Sequence, residues 1–401
     1  MSRFPHLPET FILREMIEME NLGWEISLYP LVLQEQSVTH PAVKKFEQRA
    51  HSLPFISGSI ASANLSELFH HPGRYFRLLG RIIKENSSST KFLVRALAIF
   101  PKCVLMARMM QKEGIQHIHA HYATHPALAA WIIHQLTGIP YSVTAHAHDI
   151  YVEKPMLGTK LSDSAFIIAI SEFNRKYLID YLGDWVNGKI HVVHCGVKPE
   201  DYQIHKDDDP SGVFHIMTIG SLQPYKGQKY LVSACADLVK HGIPIHCTII
   251  GGGELKEDLQ SQIVSLGLEK IVDLAGARTQ EEVAEMLPRA DCYVQPSIIT
   301  PLGKMEGIPV SLMEALVCQV PVVATAISGV PELVQDQKTS LLVPPENVDL
   351  LVNAIEILYN DRGYASQLAR NGRDLVLREF SLAANVKQLS ALVETTLKNP
   401  Q

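Results

Sequence analysis

No stretch of this chain approaches about 20 uninterrupted apolar residues, so nothing in it reads as a membrane-spanning helix. The first residues lack the apolar run of a secretory leader, and none is expected. Cysteine is sparse. The six, Cys103, Cys195, Cys235, Cys247, Cys292 and Cys318, form no C-x-x-C pair and sit mostly in apolar runs. They read as reduced core thiols of a cytosolic protein, not as a disulfide framework or a metal knot. Neither sign of charge dominates. Lys plus Arg is 36 and Asp plus Glu is 42, for a net charge of −6. That balance argues against a general nucleic-acid binder. A G-x-G-x-x-G dinucleotide fingerprint is also missing, although "IIGGGE" comes close.

What is present is length and alternation. A chain of 401 residues, 46% of them hydrophobic, suits two domains of about 200 residues each. Residues 11–22 carry helical spacing and stop at Gly23, and "WEISLYPLV" at 24–32 reads as a strand. Residues 74–113 read as one long helical region. Strands and helices then alternate: "HIHAHY", a helix over 126–137, "PYSVTAH", "AFIIAIS", a helix over 173–182 and "KIHVVHCG". The polar stretch 198–212, broken by proline and glycine, reads as a linker. The rhythm restarts with "VFHIMTIGSL". The reading is α/β: two doubly wound, Rossmann-like domains, 1–197 and 213–380, facing a cleft, and a C-terminal helix over 381–401 crossing back to the first domain.

In "KMEGIPVSLMEAL" two glutamates, Glu306 and Glu314, stand eight residues apart. Pro309 suits the first position of a helix, and Gly307 lets the backbone pass close to a ligand. The N–H groups of Ile308, Val310 and the next residue would then form an anion site at the helix start. A diphosphate lying across it would leave one glutamate at each end of the ligand. A second stretch, "IGSLQPYKGQ", joins a strand to a helix. Gly220 ends the strand, and Lys226 stands at the helix entry, where an ammonium can meet a phosphate.

With "IIGGGEL", "DLAGARTQEEVAEML", "ADCYVQPS" and "VPVVATAISGVPELV", these stretches resemble the retaining GT-B glycosyltransferases of family 4 over nearly the whole chain. The resemblance implies transfer of a sugar from a nucleotide-sugar donor, UDP-sugar favoured and GDP-mannose next, to a glycan or lipid-linked acceptor. It implies Glu306 beside the donor sugar, Glu314 on the ribose and Lys226 on the leaving diphosphate. Gly252 and Arg278 join the donor side. The family's arginine after the strand is replaced here by Ser221. "YSVTAHAHDIY" implies His146 as a catalytic contact, with His148, Asp149 and His121 on the acceptor side. No obligatory metal and no cofactor is expected: the acids Asp207, Asp208 and Asp209 fall in the linker, and His117, His119 and His121, alternating on one strand, are too splayed for one ion by themselves.

Two features fall outside this pattern. Arg74, Arg77, Arg81, Lys84, Lys91, Arg95, Lys102, Arg108 and Lys112 are interleaved with apolar residues, and suggest a peripheral contact with an anionic membrane at its cytoplasmic face. The strand that normally precedes residues 11–22 in the family is absent, which predicts an N-terminal sheet without its first strand, its neighbours at 24–32 and 115–122 either pairing across the gap or leaving backbone groups unpaired. A non-catalytic relative, a sugar-nucleotide epimerase and a nicotinamide dehydrogenase remain as alternatives.

Overall fold

A strand in a parallel sheet is covered on both faces and reads as an unbroken apolar run. "FIIA", "CYVQ" and "VVAT" are such runs, and every residue in them is buried. The computed structural model describes residues 2–4, 10–34, 43–152, 154–205 and 212–399, and the chain divides into two units. The Asp207–Asp209 run lies outside the described residues.

The first unit comprises Met1–Val193 with Val386–Gln401. Its strands are β1 (Arg3–Phe4), β2 (Val32–Leu33), β3 (Ile118–His121), β4 (Tyr141–Ala145), β5 (Phe166–Ala169) and β6 (Ile190–Val192). The last four form a parallel sheet in the order β3-β4-β5-β6, while β1 and β2 make a separate two-stranded ladder. The strand expected at 24–32 does not form. Among the described residues that segment contributes an isolated bridge, Leu28 to Ala50, and the start of β2. It therefore does not pair with β3, which is the edge of its sheet. Between them opens a cavity of about 760 Å³, lined by Ile12, Ser27, Leu28, Ala120 and Ala130 among others. The helical region 74–113 is two helices, Pro72–Asn86 and Thr90–Glu113, because Ser89 caps the second through Phe92 N–H. From the C-terminal helix Leu382–Lys398, Leu389 and Val393 pack with Phe166, Ile168 and Val193, and Trp24 Nε1 donates to Ser390 Oγ at 2.9 Å.

The second unit is His194–Asn385. It holds β7 (Phe214–Ile219), β8 (Ile245–Ile250), β9 (Val272–Gly276), β10 (Cys292–Gln295), β11 (Val322–Thr325) and β12 (Leu341–Val343), all parallel. The order β9-β8-β7-β10-β11-β12 reverses direction between β7 and β10. Ligands of doubly wound sheets bind at that switch point, outside the carboxyl ends of the strands. Residues 198–205 are not a free linker. Tyr202 is buried in this unit's core with Leu312, Met313 and Leu316. Among the described residues no helix is long and apolar enough to cross a membrane.

Candidate active site

Of the residues singled out in the second half of the sequence, Gly220, Lys226, Glu306 and the start of helix Val310–Val317 come together at the β7/β10 switch point, while Gly252 and Arg278 follow β8 and β9. β7 ends at Ile219, and the chain passes through Gly220 into the loop that carries Lys226. A Cβ on Gly220 would stand 3.2 Å from the Lys226 stem, so the bare glycine makes room for the lysine. Gly227 has φ +69°, and a Cβ there would lie 1.9 Å from the Pro296 carbonyl oxygen. Only glycine permits that approach of two loops.

Lys226 Nζ lies 2.5 Å from Glu306 Oε1, and both side chains are largely buried. Burial works against the ammonium, but the Glu306 carboxylate outweighs it and raises the Lys226 pKa above that of an ordinary lysine. Glu306 also accepts from Ser297 Oγ at 3.3 Å and from Gln295 Nε2 at 3.5 Å. Helix Val310–Val317 starts one residue later than expected. Pro309 is its N-cap, with extended ψ of 128°, and the first intrahelical bond runs from Leu312 N–H to the Pro309 carbonyl. The N–H groups of Val310 and Ser311 precede that ladder, at the positive end of the helix dipole. Glu314, in the second turn, is 8% exposed and accepts from Tyr202 O–H at 2.6 Å.

Several polar residues here were not singled out in the sequence. Tyr293, Gln295 and Ser297 alternate along β10 and its extension. Tyr293 O–H donates to Gln295 Oε1 at 2.8 Å and accepts from Ser311 Oγ at 2.8 Å, and Gln295 Nε2 donates to Ser297 Oγ at 2.8 Å. The signal for them was present in "ADCYVQPS": polar residues at a period of two, on a strand whose other face, Cys292 and Val294, is core. Tyr225 and Lys304 were also missed. Lys304 Nζ lies 4.5 Å from the centre of the Tyr225 ring and donates to Gln223 Oε1 at 3.3 Å. From its own loop before helix Val310–Val317 it brings a second cation to the loop that carries Ser221 and Gln223. Gly252 follows β8, and a Cβ there would stand 3.9 Å from the Ala277 methyl, just after β9. Arg278 follows β9, is exposed, and approaches Glu282 at 3.8 Å.

The first unit has its own polar cluster at the ends of β3 and β4. His146 is buried, with its ring 4.5 Å from Tyr122, 5.1 Å from Phe11 and 5.5 Å from His121. His121 Nδ1 and His146 Nε2 are 3.3 Å apart. Tyr122, between them in sequence terms, has φ +77°, a strained conformation for a residue with a Cβ. His148 is exposed, with its ring 5.7 Å from Tyr122. Asp149 departs from the acceptor-side expectation. It is fully buried, and its carboxylate accepts the backbone N–H groups of Ala123, His146 and Ala147. Its carboxylate thereby ties the two loops together.

The basic stretch is only partly a surface. Lys102 is buried and donates to the Leu31 carbonyl at 2.6 Å. Arg74 pairs with Glu67 at 2.5 Å and Arg81 with Glu85 at 2.8 Å. Arg77, Lys84, Lys91, Arg95, Arg108 and Lys112 are exposed.

Comparison with known proteins agrees with this geometry. The profile of Glycosyl transferases group 1 matches residues 200–375, and that of Glycosyltransferase Family 4 matches residues 63–201. The chain is 30% identical over 408 residues to WcaL of Escherichia coli, described as a colanic acid biosynthesis glycosyltransferase, covering 98% of each chain. It is 26% identical over 404 residues to the amylovoran biosynthesis glycosyltransferase AmsK of Erwinia amylovora, covering 98% of this chain and 97% of AmsK. Among solved structures, Anabaena HepE in complex with UDP and glucose superposes with a TM-score of 0.68 at 19% identity, over 98% of this chain and 96% of HepE. The chain therefore belongs to the group 1 glycosyltransferases of the GT-B fold, and its activity is glycosyl transfer.

Proposed function

We propose that this glycosyltransferase moves a hexose from a nucleoside diphosphate donor to a hydroxyl of a glycan or lipid-linked acceptor, with retention of the anomeric configuration. The donor is a UDP-sugar first and GDP-mannose next. One observation carries the reading: the buried Lys226–Glu306 pair, 2.5 Å apart, beside the start of helix Val310–Val317 at the sheet's switch point. Without a ligand the two side chains neutralise each other. An incoming diphosphate competes for Lys226 and takes the N–H groups of Val310 and Ser311 as well. Glu306 is then released to accept hydroxyls of the donor sugar, while Glu314 accepts a ribose hydroxyl. Charge that develops on the departing diphosphate meets Lys226, with Lys304 near by and the helix start, so transfer does not require a metal ion. His146 contacts donor sugar or acceptor, and His121 and His148 serve the acceptor side.

The relatives named for amylovoran and colanic acid support polysaccharide or glycolipid biosynthesis as the setting. HepE, bound to UDP and glucose, supports the choice of UDP. Peripheral contact with an anionic membrane is part of the proposal. Exposed Phe69, Phe76 and Val94 accompany the exposed Arg77, Lys84, Lys91 and Arg95 on neighbouring helices.

The test is a thermal-shift panel of UDP, GDP and ADP, followed by turnover of the matching sugar donor with the anomeric configuration of the product read by NMR. We expect UDP to stabilise most, an axial-to-axial outcome for an α-linked donor, and undiminished turnover in EDTA. Turnover with inversion, or transfer abolished by chelation and restored by manganese, would overturn the respective part. Sedimentation with vesicles containing an anionic lipid, against neutral vesicles, tests the membrane contact.

A further inference from the structure

The cavity beside β3 carries a donor cluster of which the proposed transfer uses only His121, on the acceptor side. Glu15 reaches it from helix Thr10–Asn21, and His119 and His121 from alternate positions of β3. One donor atom from each of the three lies within 4.8 Å of the other two. Glu15 Oε1 is 3.0 Å from His121 Nε2 and 3.9 Å from His119 Nε2. A tetrahedral ion bound at about 2.0–2.1 Å holds its ligand atoms about 3.3 Å apart, and these two distances bracket that value. The objection that alternate strand residues are too splayed no longer applies. The two rings turn toward each other, with centroids 4.9 Å apart at 87°, and the third ligand comes from a helix across the cavity.

We propose that Glu15, His119 and His121 form a binding site for a zinc-class divalent transition metal, with its remaining position open to the cavity. Two imidazoles and one carboxylate favour zinc, cobalt or nickel over magnesium or calcium, which prefer all-oxygen shells.

The surroundings support such a site. The second nitrogen of each imidazole is already held, as metal-bound histidines require: His119 Nδ1 meets Ser142 Oγ at 2.7 Å, and His121 Nδ1 meets His146 Nε2 at 3.3 Å. Ser142 is itself fully buried and also meets His117 Nε2 at 2.7 Å. One contact must give way. Thr144 Oγ1 lies 2.9 Å from His119 Nε2 and would turn aside.

Occupation has a consequence for His146. With His121 Nε2 on the metal, the His121 proton must sit on Nδ1 and be donated to His146 Nε2. The metal would thereby fix one His121 tautomer, which the metal-free chain can also adopt, so turnover in EDTA is unaffected. The inference concerns the first unit alone and does not rest on the proposed transfer mechanism.

The test uses the full chain, stripped with a chelator and titrated with Co²⁺ as a spectroscopic probe. We expect one equivalent to give a visible ligand-field band of low-symmetry, imidazole-rich coordination, displaced by Zn²⁺. Glu15→Gln, His119→Asn and His121→Asn should each weaken binding by about tenfold or more, while His125→Gln leaves it unchanged. Circular dichroism identifies which variants are folded, and Glu15→Gln, the most conservative, carries the test if a histidine variant is not. Absence of the band at millimolar Co²⁺, or a band indifferent to Glu15→Gln, would overturn the site.

Discussion

Lys226 Nζ and Glu306 Oε1 lie 2.5 Å apart in a pocket where neither side chain is more than 13% exposed. The pair makes each residue's removal costly to the other. Lys226→Ala should destabilise the second unit by about 3–5 kcal/mol, because the Glu306 carboxylate is left buried without its cation. Lys226→Ala/Glu306→Gln should recover much of that stability while turnover stays lost. Urea unfolding of the single and double variants checks this. If the double variant is no more stable than the single, the pair is not the reason for the loss.

The two glutamates should separate in their effects. Glu314→Ala should weaken UDP binding by roughly 1–3 kcal/mol through loss of a charged hydrogen bond. It also releases the Tyr202 hydroxyl that Glu314 now accepts. Glu306→Ala should lower kcat far more than it weakens UDP. Calorimetry with free nucleotide and steady-state rates distinguish the two. Equal UDP affinity in wild type and Glu314→Ala would remove Glu314 from the ribose.

Lys304 should share the burden that an arginine at 221 would carry. Its ammonium stands 4.5 Å from the centre of the Tyr225 ring, and that of Lys226 stands 5.5 Å from it. Lys304→Ala should weaken UDP about tenfold and UMP much less, since the cation acts on the diphosphate. Ser221→Arg in that background should restore affinity. A Lys304→Ala protein that binds both nucleotides as wild type does would assign Lys304 elsewhere.

His125 should make the first unit acid-sensitive. Burial, and then repulsion from Lys160, Arg95 and Lys91, lowers its pKa from 6.5 to about 4, and its ring stacks on Phe92. Between these two values the unfolded chain holds a proton that the folded chain does not. Stability therefore rises with pH across that window and is lost as pH falls below about 6.5. His125→Phe should reduce the loss between pH 7.5 and pH 5 by about 1–2 kcal/mol. An unchanged pH profile would show that His125 does not drive it.

The first unit should also be the less stable half. β3 ends its sheet among the described residues and faces a cavity of about 760 Å³, whereas β7 is paired on both sides. Hydrogen exchange should be faster in peptides covering 115–122 than in those covering 245–250. Equal protection in both would show that the edge and the cavity cost little.

The sequence by itself determined the class of fold and the local setting of the residues proposed for the donor. Continuous apolar strands alternating with helices admit little besides parallel sheets, and Lys226, Glu306 and Glu314 are short-range features of two strand–loop–helix junctions. Their spacing survives any detail of packing. The tertiary structure decided everything that depends on residues distant in sequence. It turned 24–32 from strand to irregular chain, because a period of two apolar residues records a buried face but not whether a partner strand lies within reach. It took Asp149 from the acceptor side into three backbone hydrogen bonds, and Lys102 from a basic surface onto the Leu31 carbonyl. It joined Glu314 to Tyr202, 112 residues away, and brought Glu15 from a helix to His121 on a strand. Local pattern dictates which element forms; only the packing of elements dictates which side chains meet.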